Sequence, residues 1–399
     1  MNSPKRVCIV VPDITGQGGG VRALAAFIFD TLRRSGRYEP SLVSLAMSSK
    51  DEASVRLLSP KSWRERPKAV ARSWRGIAHE HVGCYLAEFE FQRYRPRRLL
   101  TELLSQYDIV HVVAGHPAWA LVTRGCRGAV FLHAATLAAS ERRGVRRFTF
   151  PRWRHWMTRV TGRLDFEALR HVRAAFVMNG LMEQRLGRAL GASRVVFALP
   201  GVDTQLFRPG YYRDGGYILS VGRFSDPRKN VGLLLQAYGL LRQAVAGAPK
   251  LVLAGLDTLP DEDWELASRL NVAGHVETRR DVSPEELAEL YRGACMFVLS
   301  SDEEGLGLVI LEAMASGLPV VSTRCGGPEG VVVEGVTGYL TPVGDAHALA
   351  AKMRELLDDA ALRRSMGEKA RRIAEEKFSL ETAGVAIIEK YDGLLSDGG

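Results

Sequence analysis

The sequence predicts an α/β protein built from two doubly wound, Rossmann-like domains. Short runs rich in Val, Ile and Leu alternate with amphipathic stretches along the whole chain. These runs are apolar on both faces, as in parallel strands covered by helices on each side. The alternation stops in a Pro- and Gly-rich segment, GVDTQLFRPGYYRDGG at 201–216, and then restarts. A chain of 399 residues is also too long for one compact core.

The elements follow in order. RVCIVVP (6–12) is a strand, then comes a Gly-rich turn and an amphipathic helix near 20–35. Further strands are expected at 40–47 (PSLVSLAM), 108–114 (DIVHVVA), 129–134 (AVFLHA), 174–179 (AAFVMN) and 194–200 (RVVFALP). After the break, strands are expected at 217–222 (YILSVG), 250–255 (KLVLAG), 295–301 (CMFVLSS) and 319–325 (PVVSTRC). Helices are expected near 229–246, 283–294, 307–317 and 345–377. The division drawn from this is 1–205, 206–377 and a terminal segment 378–399.

Charge divides the same way. Residues 1–200 hold 33 Lys and Arg against 15 Asp and Glu, while the remainder holds 21 against 30. Arginine dominates the first half, so an anionic surface or phosphate group is its natural partner. Five scattered cysteines form no CxxC pair, which argues against a disulfide framework or zinc site and suits a reducing cytoplasm. The apolar run VCIVV stops at Pro12-Asp13, too short for a signal-peptide core, and no run is long enough to span a bilayer.

Ligands of doubly wound domains bind beyond the carboxyl ends of the strands. The Gly-rich TGQGGGVRAL follows the first strand, His133 follows AVFL, Arg223 follows YILSVG with Lys229 close behind, and SSDEEGLGLVILEAM follows CMFVL. Each has a plainer reading. Gly16–Gly20 suits a tight turn as well as a phosphate, and matches neither a dinucleotide fingerprint nor a P-loop. His133 alone suits a core histidine, and Arg223 with Lys229 a solvated pair. Asp261-Glu262-Asp263 follows Pro260 and precedes a helix, so acidic capping accounts for it.

Glu304 and Glu312 are harder to dismiss. Helical throughout, their spacing would separate the α-carbons by roughly 12 Å, wide for a glycosidase acid–base pair. Two holds on one long ligand fit better. Gly305 and Gly307 let backbone approach it, and carboxylates accept hydrogen bonds from sugar or ribose hydroxyls. Arg223 and Lys229 supply positive charge for a diphosphate. A nucleoside diphosphate sugar fits all of these.

SDEEGLGLVILEAMASGLPVVSTRCGGPEGVV resembles the E-x7-E signature of the family-4 retaining glycosyltransferases, whose GT-B architecture sets two Rossmann-like domains across a central cleft. GGVR (19–22), LPGVDTQLFRP (199–209) and VGRFSDPRKN (221–230) resemble its N-terminal loop, interdomain segment and phosphate motif. FSLETAGVAIIEKYDGLL (378–395) resembles the terminal helix that returns to the N-terminal domain. The resemblance implies that Arg223 and Lys229 bind the donor diphosphate and Glu312 the ribose. Glu304 and the amides of Gly305, Leu306 and Gly307 would contact the transferred sugar, and His133 its far hydroxyl. Gly19 and Gly20 would lie near the phosphates. It also implies retention, no metal and no cofactor beyond the donor, UDP- or GDP-linked. Arg280 stands where the family pattern expects glycine, which leaves the base open. A sugar-nucleotide epimerase could share this architecture.

For the acceptor, a glycan or lipid-linked molecule is expected, or a soluble one. Residues 141–173 carry ten arginines among Phe148, Phe150, Trp153, Trp156 and Met157, and 61–75 is basic with Trp63 and Trp74. Both read either as mobile basic surface or as docking on an anionic membrane, placing the enzyme on the cytoplasmic face. No nucleic-acid module is recognisable.

Overall fold

The computed structural model describes residues 4–12, 14, 20–141, 151–210 and 215–396. The chain divides into two compact units, Met1–Ala198 with Gly384–Gly399, and Leu199–Ala383.

The first unit is built on eight strands: β1 (Lys5–Pro12), β2 (Tyr38–Leu45), β3 (Ala69–Trp74), β4 (Ile77–Val82), β5 (Ile109–Ala114), β6 (Ala129–Ala134), β7 (Ala174–Val177) and β8 (Val195–Phe197). Their order is β3-β4-β2-β1-β5-β6-β7-β8. Every pairing is parallel except β3 with β4. β5 is buried along its whole length, as expected of a strand covered on both faces. The helix Gly20–Ser35 lays Leu24, Ile28 and Leu32 into the core at four-residue spacing. From the helix Leu380–Ser396, Tyr391 is fully buried against the rings of His111, Phe131 and Phe176.

The second unit is a six-stranded, all-parallel sheet of β9 (Tyr217–Val221), β10 (Leu251–Gly255), β11 (Val276–Arg280), β12 (Ala294–Leu299), β13 (Val320–Thr323) and β14 (Gly338–Thr341). The order is β11-β10-β9-β12-β13-β14. Three strands run outward from β9, then the chain returns and runs the other way from β12. This is the doubly wound pattern the sequence predicts.

Several details differ from the sequence reading, and the strands β11 and β14 are not among those it expects. The helix expected at 345–377 is two, Ala346–Asp358 and Ala360–Phe378, because Asp359 is extended and caps the second by accepting from the Leu362 amide. The segment 199–205, expected in the first domain, groups with the second unit, where Val202 exchanges backbone hydrogen bonds with Phe378 and Leu380 and Arg371 donates to the Thr204 and Phe207 carbonyls. The β3–β4 hairpin escaped notice because its exposed, arginine-bearing strand lacks an apolar run. Within the basic stretch 141–173, Pro151–Leu169 is a helix, and 142–150 lie outside the described residues.

Candidate functional site

The second sheet reverses its order between β9 and β12, and ligands of doubly wound sheets bind beyond the strand ends at such a point. Two loops leave there, 222–230 after β9 and 300–307 after β12.

The first loop is held by Asp257, whose carboxylate accepts from the amides of Phe224 (2.8 Å) and Ser225 (2.9 Å). Gly255 at the end of β10 is what lets the loop so close, since a Cβ there would stand 1.9 Å from the Gly222 carbonyl oxygen. Asp226 accepts from the Arg228 amide (3.1 Å) and guanidinium (2.7 Å), and from Arg223 at 3.4 Å. Burial alone would raise the Asp226 carboxyl, but the bonds and charge of Arg228 outweigh it and hold it below its ordinary value. Arg223 itself keeps 53% of its side chain exposed. Pro227–Lys229 forms a single 3-10 turn, and Asn230, at φ +43°, caps the helix Val231–Ala244.

Lys229 lies across Gly222 and its Nζ forms an ion pair with the Glu304 carboxylate. Ser301 Oγ donates to the same carboxylate oxygen at 2.7 Å. Further bonds tie the two loops together. Ser300 Oγ lies within donating distance of the Lys229 and Asn230 carbonyls, Asn230 Nδ2 donates to Asp302 (2.7 Å), and the Asp302 amide donates to the Arg228 carbonyl (2.7 Å). The Glu304 amide donates to the Cys325 carbonyl (3.0 Å), which ties the loop to the end of β13. Lys229 and Glu304 are thus positioned by backbone bonds on both sides.

Gly307, at φ +73°, ends the second loop and starts the helix Leu308–Ala315. Leu306 is buried beside Gly327, whose Cβ would fall 2.6 Å from the Leu306 Cα, while Gly305 is partly exposed. Glu312 lies within the helix, so only part of the Glu304–Glu312 interval is helical. Its carboxylate accepts from Tyr291 Oη at 2.9 Å, and Tyr291 is fully buried against Phe207 and Phe297. Burial pushes the Glu312 carboxyl up to about 7, against the opposing hydrogen bond from Tyr291. Asp261–Asp263 form the first turn of the helix Asp261–Arg269, and Arg280 is exposed at the end of β11 beside Asp281 (2.7 Å).

The structure therefore brings Arg223, Lys229, Glu304 and Gly305–Gly307 onto two tied loops, with Glu312 on the helix that follows. It treats the first-unit residues differently. Gly20 opens the helix Gly20–Ser35, and Gly19 lies outside the described residues. His133 does not stand beyond its strand. It lies inside β6, is 0% exposed, and stacks on His111 (5.9 Å) and Phe176 (5.8 Å). Burial pushes its pKa down to about 3, against a weak backbone contact at Ala198, and neither ring nitrogen has a partner of normal hydrogen-bond geometry. The expected sugar contact at His133 gives way to a core position here: β6 runs one residue past it, on the face shared with His111 and Tyr391.

Sequence reasoning missed Ser301, Asp257, Asp302 and Tyr291. Three of them follow strand ends directly, so the rule that found Arg223 also applies to them. Tyr291, an apolar-looking helix position, carries no such signal.

Residues 202–373 match the model of a family described as Glycosyl transferases group 1. Over 353 residues the chain is 30% identical to the D-inositol 3-phosphate glycosyltransferase of Streptomyces avermitilis, spanning 80% of this chain and 72% of that protein. In fold it is similar to sucrose-phosphate synthase from Thermosynechococcus elongatus, with a TM-score of 0.76 at 18% identity over 98% of this chain and 100% of that one. It is likewise similar to HepE of Anabaena in complex with UDP-glucose, with a TM-score of 0.70 at 18% identity over 97% and 99%.

Proposed function

This chain belongs to the group 1 glycosyltransferases, of the family-4 type with the GT-B fold, and we propose that it moves a sugar from a UDP- or GDP-linked donor to an acceptor hydroxyl with retention of configuration. The observation that carries this reading is the Lys229–Glu304 pair at the β9/β12 reversal, with Arg223 on the same loop. A diphosphate offers Lys229 and Arg223 a partner of higher charge than a single carboxylate. Glu304 and Ser301 then serve the hydroxyls of the transferred sugar, and Glu312 the ribose.

The step is a substitution at the anomeric carbon. The acceptor oxygen bonds to that carbon, the bond from carbon to phosphate oxygen breaks, and the electron pair stays on the leaving nucleoside diphosphate. The acceptor proton passes to a phosphate oxygen on the same face, which accounts for retention without a protein base. Charge grows on the diphosphate as the bond breaks, and Lys229 and Arg223 take it up without a metal in this reading. The excess of arginine in the first half suits an acceptor carrying negative charge, such as a lipid-linked glycan or a surface-polysaccharide precursor.

The test is a thermal-shift screen over UDP- and GDP-sugars, followed by proton NMR of the product formed with candidate acceptors. One donor class should raise the melting temperature, and the new glycosidic linkage should keep the donor's anomeric configuration. An inverted product, or a rearranged sugar nucleotide formed with no acceptor present, overturns the reading.

A further inference from the structure

The free edge of the first unit's sheet carries a surface that sugar transfer does not use. β3 is an edge strand and four of its six residues are exposed. It joins β4 through Arg75 and Gly76, both left-handed (φ +51° and +76°), in the two-residue turn that suits a twisted hairpin. The chain leading into it is held by its own polar groups. The Leu57 and Leu58 amides donate to the Glu88 carboxylate at 3.0 and 3.3 Å, and Trp63 Nε1 donates to the Arg56 carbonyl at 2.9 Å. Yet the side chains so held point outward: Leu58 is 86% exposed and Trp63 59%.

Around them, residues 56–75 hold seven Lys and Arg against the single acid Glu65. Lys68 pairs with Glu65 and Arg72 with Asp51, whereas Lys61, Arg64 and Arg66 form no ion pair among the described residues. We propose that residues 56–75 dock this protein on an anionic lipid bilayer, the cations meeting headgroups while Leu58 and Trp63 enter the interface. Edge-strand cations alone would serve to repel a second sheet. A soluble polyanion would use the cations alone. Neither accounts for a leucine and a tryptophan fixed outward among them, which is the composition of an interfacial anchor. The indole is already satisfied through its N–H, so the rest of the ring is free to bury.

The experiment is flotation of the full chain with phosphatidylcholine vesicles, with and without phosphatidylglycerol, at low and high salt. The chain should float only with the anionic vesicles, and less as salt screens the cations. Leu58→Ser with Trp63→Ser should lower partitioning about tenfold or more at unchanged charge. Lys61→Gln, Arg64→Gln and Arg66→Gln should each lower it about fivefold. Melting temperatures should match wild type, because none of these side chains is in the core. No flotation of wild type at low salt overturns the proposal. So does a Leu58→Ser, Trp63→Ser chain that floats as well as wild type, or one whose binding is lost only to added soluble polyanion. The readout is binding, so it is independent of whether the chain transfers sugar.

Discussion

The two sheets are wound alike, yet they place their polar residues on opposite sides of the strand end. In the second unit, Arg223, Lys229, Ser301 and Glu304 come just after β9 and β12, and backbone and side-chain bonds hold them beyond the strand ends. In the first unit, His111 and His133 fall inside β5 and β6 and are drawn into an aromatic cluster with Phe131, Phe176 and Tyr391. A shift of one or two residues along a strand decides whether a polar group meets a ligand or the core. Buried without normal hydrogen bonds, such a group costs stability and must be neutral.

The largest expected effect tests the exposed side of this contrast. Lys229→Ala and Arg223→Ala should each lower turnover about 10²–10³-fold, the range for removing a donor to developing negative charge. Calorimetry with the nucleoside alone should show a much smaller change. Equal turnover in variant and wild type would falsify the role given to these cations.

A second, roughly tenfold effect follows from Glu312. Its carboxyl is raised from the ordinary 4.5 to about 7, and in the proposed role ribose hydroxyls would donate to the ionised form. Nucleoside diphosphate affinity should therefore weaken about tenfold for each unit of pH below 7, and Glu312→Gln should flatten the titration. The stability sign is opposite. Between about 4.5 and 7 the folded chain keeps a proton that the unfolded chain has lost, so this contribution is full below 4.5 and lost as pH rises through 7. Glu312→Gln should accordingly melt higher than wild type at pH 8. A titration of the same shape in the variant assigns the pH dependence elsewhere.

Tyr291→Phe sharpens the same point with a smaller change. Losing the 2.9 Å bond to Glu312 should raise KM for the donor about threefold to tenfold, the range for one ordinary hydrogen bond, with kcat little altered. A fall in kcat at constant KM would place Tyr291 in the chemistry instead.

The smallest effect tests the buried side. His133→Phe keeps the ring in its stack and removes two poorly satisfied nitrogens, so donor KM and turnover should stay near wild type. With a pKa near 3 against an ordinary 6.5, His133 contributes stability above 6.5 that is lost as pH falls toward 3. The variant should lose less stability than wild type across that window in acid melts. A large rise in donor KM with an unchanged melting temperature would return His133 to the ligand.

Much of the fold was legible because strand and helix periods are local. The β5, β6, β9, β10 and β12 runs could be read within one or two residues of their ends, and Gly307 before an apolar run marked the start of its helix. Asp359 was legible in principle as a cap inside a long helical stretch. The β3 strand was not, since an exposed edge has no apolar pattern to show. Position after a strand end led to Arg223, Lys229 and Glu304, whereas His133 was grouped with them although the expected strand 129–134 already ran past it.

The amino-acid sequence by itself determined two α/β blocks, their unequal charge and the order of the Gly, Arg, Lys and Glu motifs. Each depends on residues near one another in the chain or on simple composition. The tertiary structure alone decided that Lys229 meets Glu304, 75 residues away, because only the strand order sets β9 beside β12. It alone decided that Tyr291 holds Glu312 and that His133 sinks into the core. Register and packing between distant segments fix whether a polar side chain is solvated, and solvation sets its charge and what it can bind.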